Sequence, residues 1–175
     1  MTNPSPAPGA PIGPFSGEYR WLSNFAPCTL TPWWVRVDGA ELSITPPTVE
    51  HAYQASKFRH RVEHLVAILR APTAGRAKRL GQQYPPSPDW DTQISAQMPC
   101  SLKMQSMGML LTAKFDWTLN PTLNALLLAT GTRELIEENE WGDTYWGTVN
   151  GVGTNHLGKL LTTIRAYWSF YARTA

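Results

Sequence analysis

An Asp-Gly pair at residues 38–39 separates two short alternating runs, WWVRV and AELSI, and this constrains the chain more than any other segment. Asp-Gly readily takes positive φ at both positions, as the tight turn of a two-residue hairpin requires. Trp33, Val35 and Val37 then share one face, and Leu42 and Ile44 answer them from the second strand. The run ELIEE at 134–138 is the other strand candidate; most of the remaining periodicity is helical. The pattern predicts an α+β fold, a mainly helical single domain with a small antiparallel sheet.

Helix limits are readable from caps and breakers. Thr48, after Pro46-Pro47, caps a helix over roughly 49–59. Val62, Leu65, Val66 and Leu69 form one face of a second helix, which Pro72 ends. Thr73 caps AGRAKRLG, which stops at Gly81. A helical stretch follows over 90–115, with Asp89 as its cap and a break at Pro99; Leu102, Ser106, Met109, Leu110 and Ala113 keep one face. Asn120 as cap, followed by Pro121 at the first helical position, starts a helix that ends at Gly131. Asn155 caps the last helix, with Leu157, Leu160, Leu161, Ile164 and Trp168 as its stripe. Residues 1–14, rich in Pro, Gly and Ala and without a charged side chain, read as a disordered tail, with the domain spanning 15–175.

A length of 175 residues suits one core. The formal charge of +2 is not gathered in a basic run, which argues against a strong non-specific grip on a duplex. Cys28 and Cys100 have neither CxxC spacing nor His company, so they read as reduced thiols of a cytoplasmic protein, with no metal site. No apolar run reaches membrane-spanning length and no secretory signal is visible, so no membrane partner is expected. Eight Trp exceed packing needs; some can serve as stacking platforms.

The segment EHAYQASKF, residues 50–58, carries the most chemistry. On a helix, Glu50, Tyr53, Gln54 and Lys57 share one face, placing a carboxylate, phenol, amide and amine together. Such a stripe is either the solvated side or a polar wall of a pocket. Ala52, Ala55 and Phe58 make a poor rival core stripe, which favours the pocket. WGDTYWGTVNGVGTNHLG, residues 141–158, offers glycines for close backbone approach and a helix N-terminus for phosphate, but lacks the strand a dinucleotide fingerprint needs. Ser23, Asn24 and Phe25 lie in a turn. Arg76, Lys78 and Arg79 are either solvated charges or pyrophosphate contacts.

Taken in order, these segments resemble the NADAR family, also called YbiA-like. The resemblance rests on Leu22 to Phe25, Glu50 to Phe58, Ala77 to Gly81, Trp90, Lys114-Phe115, Leu127 to Gly131, Asp143 to Gly147, and Gly153 to Gly158. It covers about Phe15 to Arg165. The stretch from Trp90 to Lys114 is longer than the family's usual, and ENEWGD departs from its common lead-in.

The resemblance implies a YbiA-like α+β fold and hydrolysis of an N-glycosidic bond to ribose. One branch removes ADP-ribose from guanine bases of nucleic acid. Another clears ribosylamino intermediates of riboflavin synthesis. No fused riboflavin-pathway segment is visible, which favours the first, with ADP-ribose or ADP-ribosylated nucleic acid as partner. No cofactor and no obligate protein partner are expected. A module that binds NAD or ADP-ribose without cleaving it is the rival class. For catalysis the resemblance points to Glu50, Lys57 and Asp143: Glu50 steadies the cationic sugar or activates water, and Lys57 acts as acid or as a Schiff-base nucleophile. For binding it points to Ser23, Asn24, Phe25, Tyr53, Gln54, Lys78, Gly81, Trp90, Trp146, Gly147, Gly153 and Asn155. Tyr53 and Trp146 would stack on base or ribose; Asn24, Gln54 and Asn155 would hold hydroxyls; Lys78 and the 153–158 turn would hold phosphate.

Overall fold

The computed structural model describes residues 9–94 and 100–174. Two compact units divide the chain, Asn24–Pro121 and the pair Met1–Ser23 with Thr122–Ala175.

In the Asn24–Pro121 unit, β1 (Trp33–Val37) pairs antiparallel with β2 (Ala40–Ile44), setting Trp33 opposite Ile44 and Val35 opposite Leu42. Asp38 and Gly39 both take positive φ, 48° and 80°, as the hairpin turn demands. Four helices follow: α1 (Val49–Ser56), α2 (Val62–Leu69), α3 (Ala74–Gly81) and α4 (Leu102–Lys114). Thr48 accepts from the His51 amide and Thr73 from the Arg76 amide, so both expected caps are made. Ile44, Ala55, Phe58, Leu65, Ile68, Leu69, Ala71 and Ala77 form the core of this unit, with Trp33, Val35 and Leu42 packed on it. Each large apolar side chain buried there contributes about 1.5–3 kcal/mol.

α4 differs from its reading in two ways. Residues 90–92 are turn rather than helix, and the helix starts only at Leu102, with Ser101 accepting from the Met104 amide. Pro99, the expected break, lies outside the described residues. The buried face is Met107, Leu111 and Lys114, while Met109 is 66% exposed. Counting apolar residues misplaced the stripe because one of its members is a lysine. Asn120, the cap expected for the next helix, also differs from its reading. Its side chain accepts from the Thr29 amide at 2.8 Å and donates to the Thr29 carbonyl at 2.8 Å, tying distant backbone.

The other unit holds a 3-10 turn (Gly17–Leu22), α5 (Pro121–Ala129, begun by the last residue of the first unit) and α6 (His156–Thr174). ELIEE is not a strand. Leu135 bridges Ile12 and Glu138 bridges Thr148, each as a single pair. Order also begins before Phe15: Ile12 is fully buried, donates to Glu134 O and accepts from Ile136 N, both at 2.8 Å. A lone isoleucine in a Pro-Gly-Ala stretch gives no periodicity, yet it fills the place a pairing strand would take. Residues 1–8 of the expected tail lie outside the described residues. On α6, Leu157, Leu161, Ile164 and Trp168 are buried as expected, together with Arg165. No helix among the described residues is long and apolar enough to cross a membrane.

Candidate active site

The polar stripe of α1 is not its solvated side. Every residue from Val49 to Ala55 is buried, with Glu50 at 5%, Tyr53 at 4% and Gln54 at 4% exposure. The apolar face is buried too, since Ala55 and Phe58 belong to the core. The rival core stripe discounted from sequence is therefore real. Small alanines let α1 sit deep enough for both faces to be covered.

Most polar groups on this helix are held, Gln54 Oε1 being the buried exception among the described residues. The Glu50 amide donates to the Asn24 carbonyl at 3.0 Å, anchoring the first turn. Gln54 Nε2 donates to Glu50 Oε1 at 2.8 Å, fixing the carboxylate. The Lys57 carbonyl closes the helix and accepts from both the amide (2.8 Å) and hydroxyl (2.9 Å) of Ser87. Trp90 then donates its amide to Ser87 O, and Lys103 donates its own to Trp90 O. The loop after α3 is thus stitched to the root of Lys57.

Lys57 is half-buried, with Nζ 5.3 Å from the Tyr53 ring centroid. Burial holds its amine below the ordinary lysine pKa. The Glu50 carboxylate pulls upward, Lys103 and Lys78 press it lower, and Asp91 opposes them. The site therefore gathers a fixed carboxylate, an amine with a depressed pKa and two further lysines.

Tyr53 packs on Trp90 with centroids 5.5 Å apart, and Trp90 is 3% exposed. These rings form a wall. The open aromatic is Phe25, 37% exposed, with Lys78 Nζ 5.9 Å from its centroid. Asn24 donates Nδ2 to Met107 Sδ at 3.4 Å, and its buried Oδ1 has no donor among the described residues. Gly81 lies against Gln54, where a Cβ would stand 2.1 Å from Oε1. Its role in the structure is close packing of α3 on α1.

The remaining candidates sit in the other unit, where the geometry shows local construction. Asp143 Oδ1 accepts from the amides of Tyr145 (3.1 Å) and Trp146 (2.8 Å), building a turn. Asn155 Nδ2 donates to Leu135 O and its Oδ1 accepts from the Glu137 amide, so this side chain ties backbone and does not cap α6. A Cβ on Gly147 would meet Glu137 O at 2.1 Å, and one on Gly153 would meet Gly147 O at 2.4 Å. Trp146 is half-buried, with its ring edge-on to Tyr145, and Ser23 is half-buried after the 3-10 turn.

Sequence reasoning missed Lys103, Asp91 and Ser87. Lys103 and Asp91 pair at 2.8 Å. They lie 46 and 34 positions beyond Lys57, and no spacing rule links them to it.

The NADAR domain model matches residues 14–168. The chain belongs to the NADAR family. It is 38% identical over 156 residues to N-glycosidase YbiA of Shigella boydii, covering 86% of this chain and 82% of that one. It is 37% identical, with the same coverage, to N-glycosidase YbiA of Escherichia coli K12. The solution structure of Escherichia coli YbiA superposes with a TM-score of 0.70 at 33% identity, covering 94% of this chain and 86% of that one. A riboflavin biosynthesis protein of Vibrio vulnificus matches at 34% identity, covering 85% of this chain but 35% of the relative. This NADAR protein is a hydrolase acting on N-glycosyl bonds, with a YbiA-like α+β fold.

Proposed function

We propose that this NADAR protein cleaves the bond between ribose C1′ and a base nitrogen of an ADP-ribosylated guanine in nucleic acid, with Glu50 and Lys57 as its reacting groups. The observation that carries this reading is the buried Glu50 carboxylate, held by Gln54, beside a lysine whose pKa burial depresses.

Breaking a ribosyl C–N bond builds positive charge on the sugar, and a desolvated carboxylate is the group that stabilises it. A lysine with a lowered pKa is more often neutral near pH 7 and so more often nucleophilic. Its amine attacks C1′, the C–N bond electrons leave with the base, and the base takes up a proton. The sugar ring opens to a protonated Schiff base on Nζ. Water adds to that carbon, the amine leaves, and the ribose recloses with a hydroxyl at C1′. Lys78 and Lys103 give the site the charge to receive a phosphate-bearing substrate, and Phe25 offers an exposed ring for stacking.

A second reading is hydrolysis of a phosphorylated ribosylamino compound, favoured by the riboflavin-biosynthesis names of the Vibrio vulnificus and Zea mays relatives. The deciding assay presents a guanine-ADP-ribosylated oligonucleotide and a ribosylamino-pyrimidine phosphate in parallel, with product mass as readout. Release of ADP-ribose supports the first reading, and cleavage of the second substrate alone replaces it. In either case borohydride should trap an adduct that Lys57→Ala abolishes. Wild-type turnover in Lys57→Ala or Glu50→Gln, with unchanged melting temperature, would sink the assignment of these residues.

A further inference from the structure

The Met1–Ser23 with Thr122–Ala175 unit carries an open groove of about 790 Å³ lined by residues of that unit alone. Three cations, Arg133, Lys159 and Arg165, line it against one carboxylate, Glu134. Arg165 is 6% exposed, and its Nη1 donates to Thr130 Oγ1 at 2.7 Å and Arg133 O at 2.9 Å. Both acceptors are neutral, and no carboxylate pairs with this guanidinium among the described residues. Burial and the Arg133 charge together hold its pKa below the ordinary arginine value. A buried cation beside a second cation is costly unless an anion completes the site. Arginine presents a planar fork that suits phosphate oxygens.

We propose that this groove binds the phosphates of a nucleotide or of a nucleic-acid strand, with Arg165 at its base and Arg133 and Lys159 along its walls. The volume greatly exceeds one phosphate group and suits a nucleotide-sized ligand or a strand segment. Lys159 is exposed and Arg133 half-buried, so the charge is both reachable and anchored. The proposal rests on no assignment of the glycosidic substrate, and its test does not involve turnover.

The test titrates the full chain at low salt with inorganic pyrophosphate, ADP and a short single-stranded DNA, following backbone amides by NMR. Amides of 132–135 and 158–165 should shift with each ligand. Lys159→Glu, at an exposed position, should weaken binding about tenfold or more, and Arg133→Gln by about threefold, at unchanged melting temperature. If DNA binds far tighter than ADP, with a log affinity against log salt slope that falls by about one in Lys159→Ala, the ligand is a strand. Equal affinity identifies a free nucleotide. Absence of these shifts, or shifts unaltered by Lys159→Glu, would overturn the proposal.

Discussion

A Cβ placed on Gly81 would stand 2.1 Å from Oε1 and 2.8 Å from Cδ of Gln54, and that same Gln54 donates Nε2 to Glu50 at 2.8 Å. The last residue of α3 therefore governs the orientation of the carboxylate on α1. Gly81→Ala should push the Gln54 amide aside and release Glu50. The expected result is a loss of about 1–3 kcal/mol in stability with a larger fall in kcat than a remote destabilising change of equal size produces. Chemical denaturation paired with turnover measures both. Wild-type kcat in Gly81→Ala would remove Gln54 as a positioning residue.

The pH profile should report Lys57. Activity through the neutral amine rises as pH climbs through its pKa. The Glu50 carboxylate holds that pKa up, so Glu50→Gln should shift the limb to lower pH while reducing its height by roughly a hundredfold or more. Lys103→Ala removes a repelling charge and should shift the limb the other way, to higher pH. A limb that stays in place in both variants belongs to another group.

Lys57→Met should stabilise the fold. The folded pKa lies below the unfolded one, so the wild type bears a desolvation cost that is full below the folded pKa and vanishes above the unfolded pKa. The gain in Tm should be largest near neutral pH and shrink towards pH of roughly 11. Thermal melts across that range test it, and an unchanged or lower Tm at neutral pH would show that packing and not charge governs this position.

Asp143→Asn separates turn building from chemistry. Asn retains an Oδ1 that can accept from the Tyr145 and Trp146 amides, whereas Ala does not. The Asn variant should keep turnover within a few-fold, and the Ala variant should lose about 0.5–2 kcal/mol of stability. A loss of a hundredfold in Asp143→Asn would restore the carboxylate to the reaction.

Local rules made α1, α2, α3 and the hairpin legible, because their signals lie within a few residues of what they control. Thr48 and Thr73 cap the amides three positions on, and Asp38-Gly39 bends its own backbone. The α4 stripe was not legible, because helix periodicity counts apolar residues and one buried member is Lys114. Asn120 and Asn155 follow the same logic: a cap reading uses adjacent residues, while their amides serve backbone 91 and 20 positions away.

The sequence by itself determined the α+β class and the grouping of Glu50, Tyr53, Gln54 and Lys57 on one helical face, since both follow from local order and spacing, and its motifs taken in order carried the resemblance to the NADAR family. Only the tertiary structure decided that Glu50, Tyr53 and Gln54 of this face are buried, that burial, with Lys103 and Lys78, depresses the pKa of Lys57, and that Arg133, Lys159 and Arg165 line one groove. Burial and electrostatics depend on which surfaces meet, and a charge spread thinly along the chain becomes a field only where folding brings its parts together.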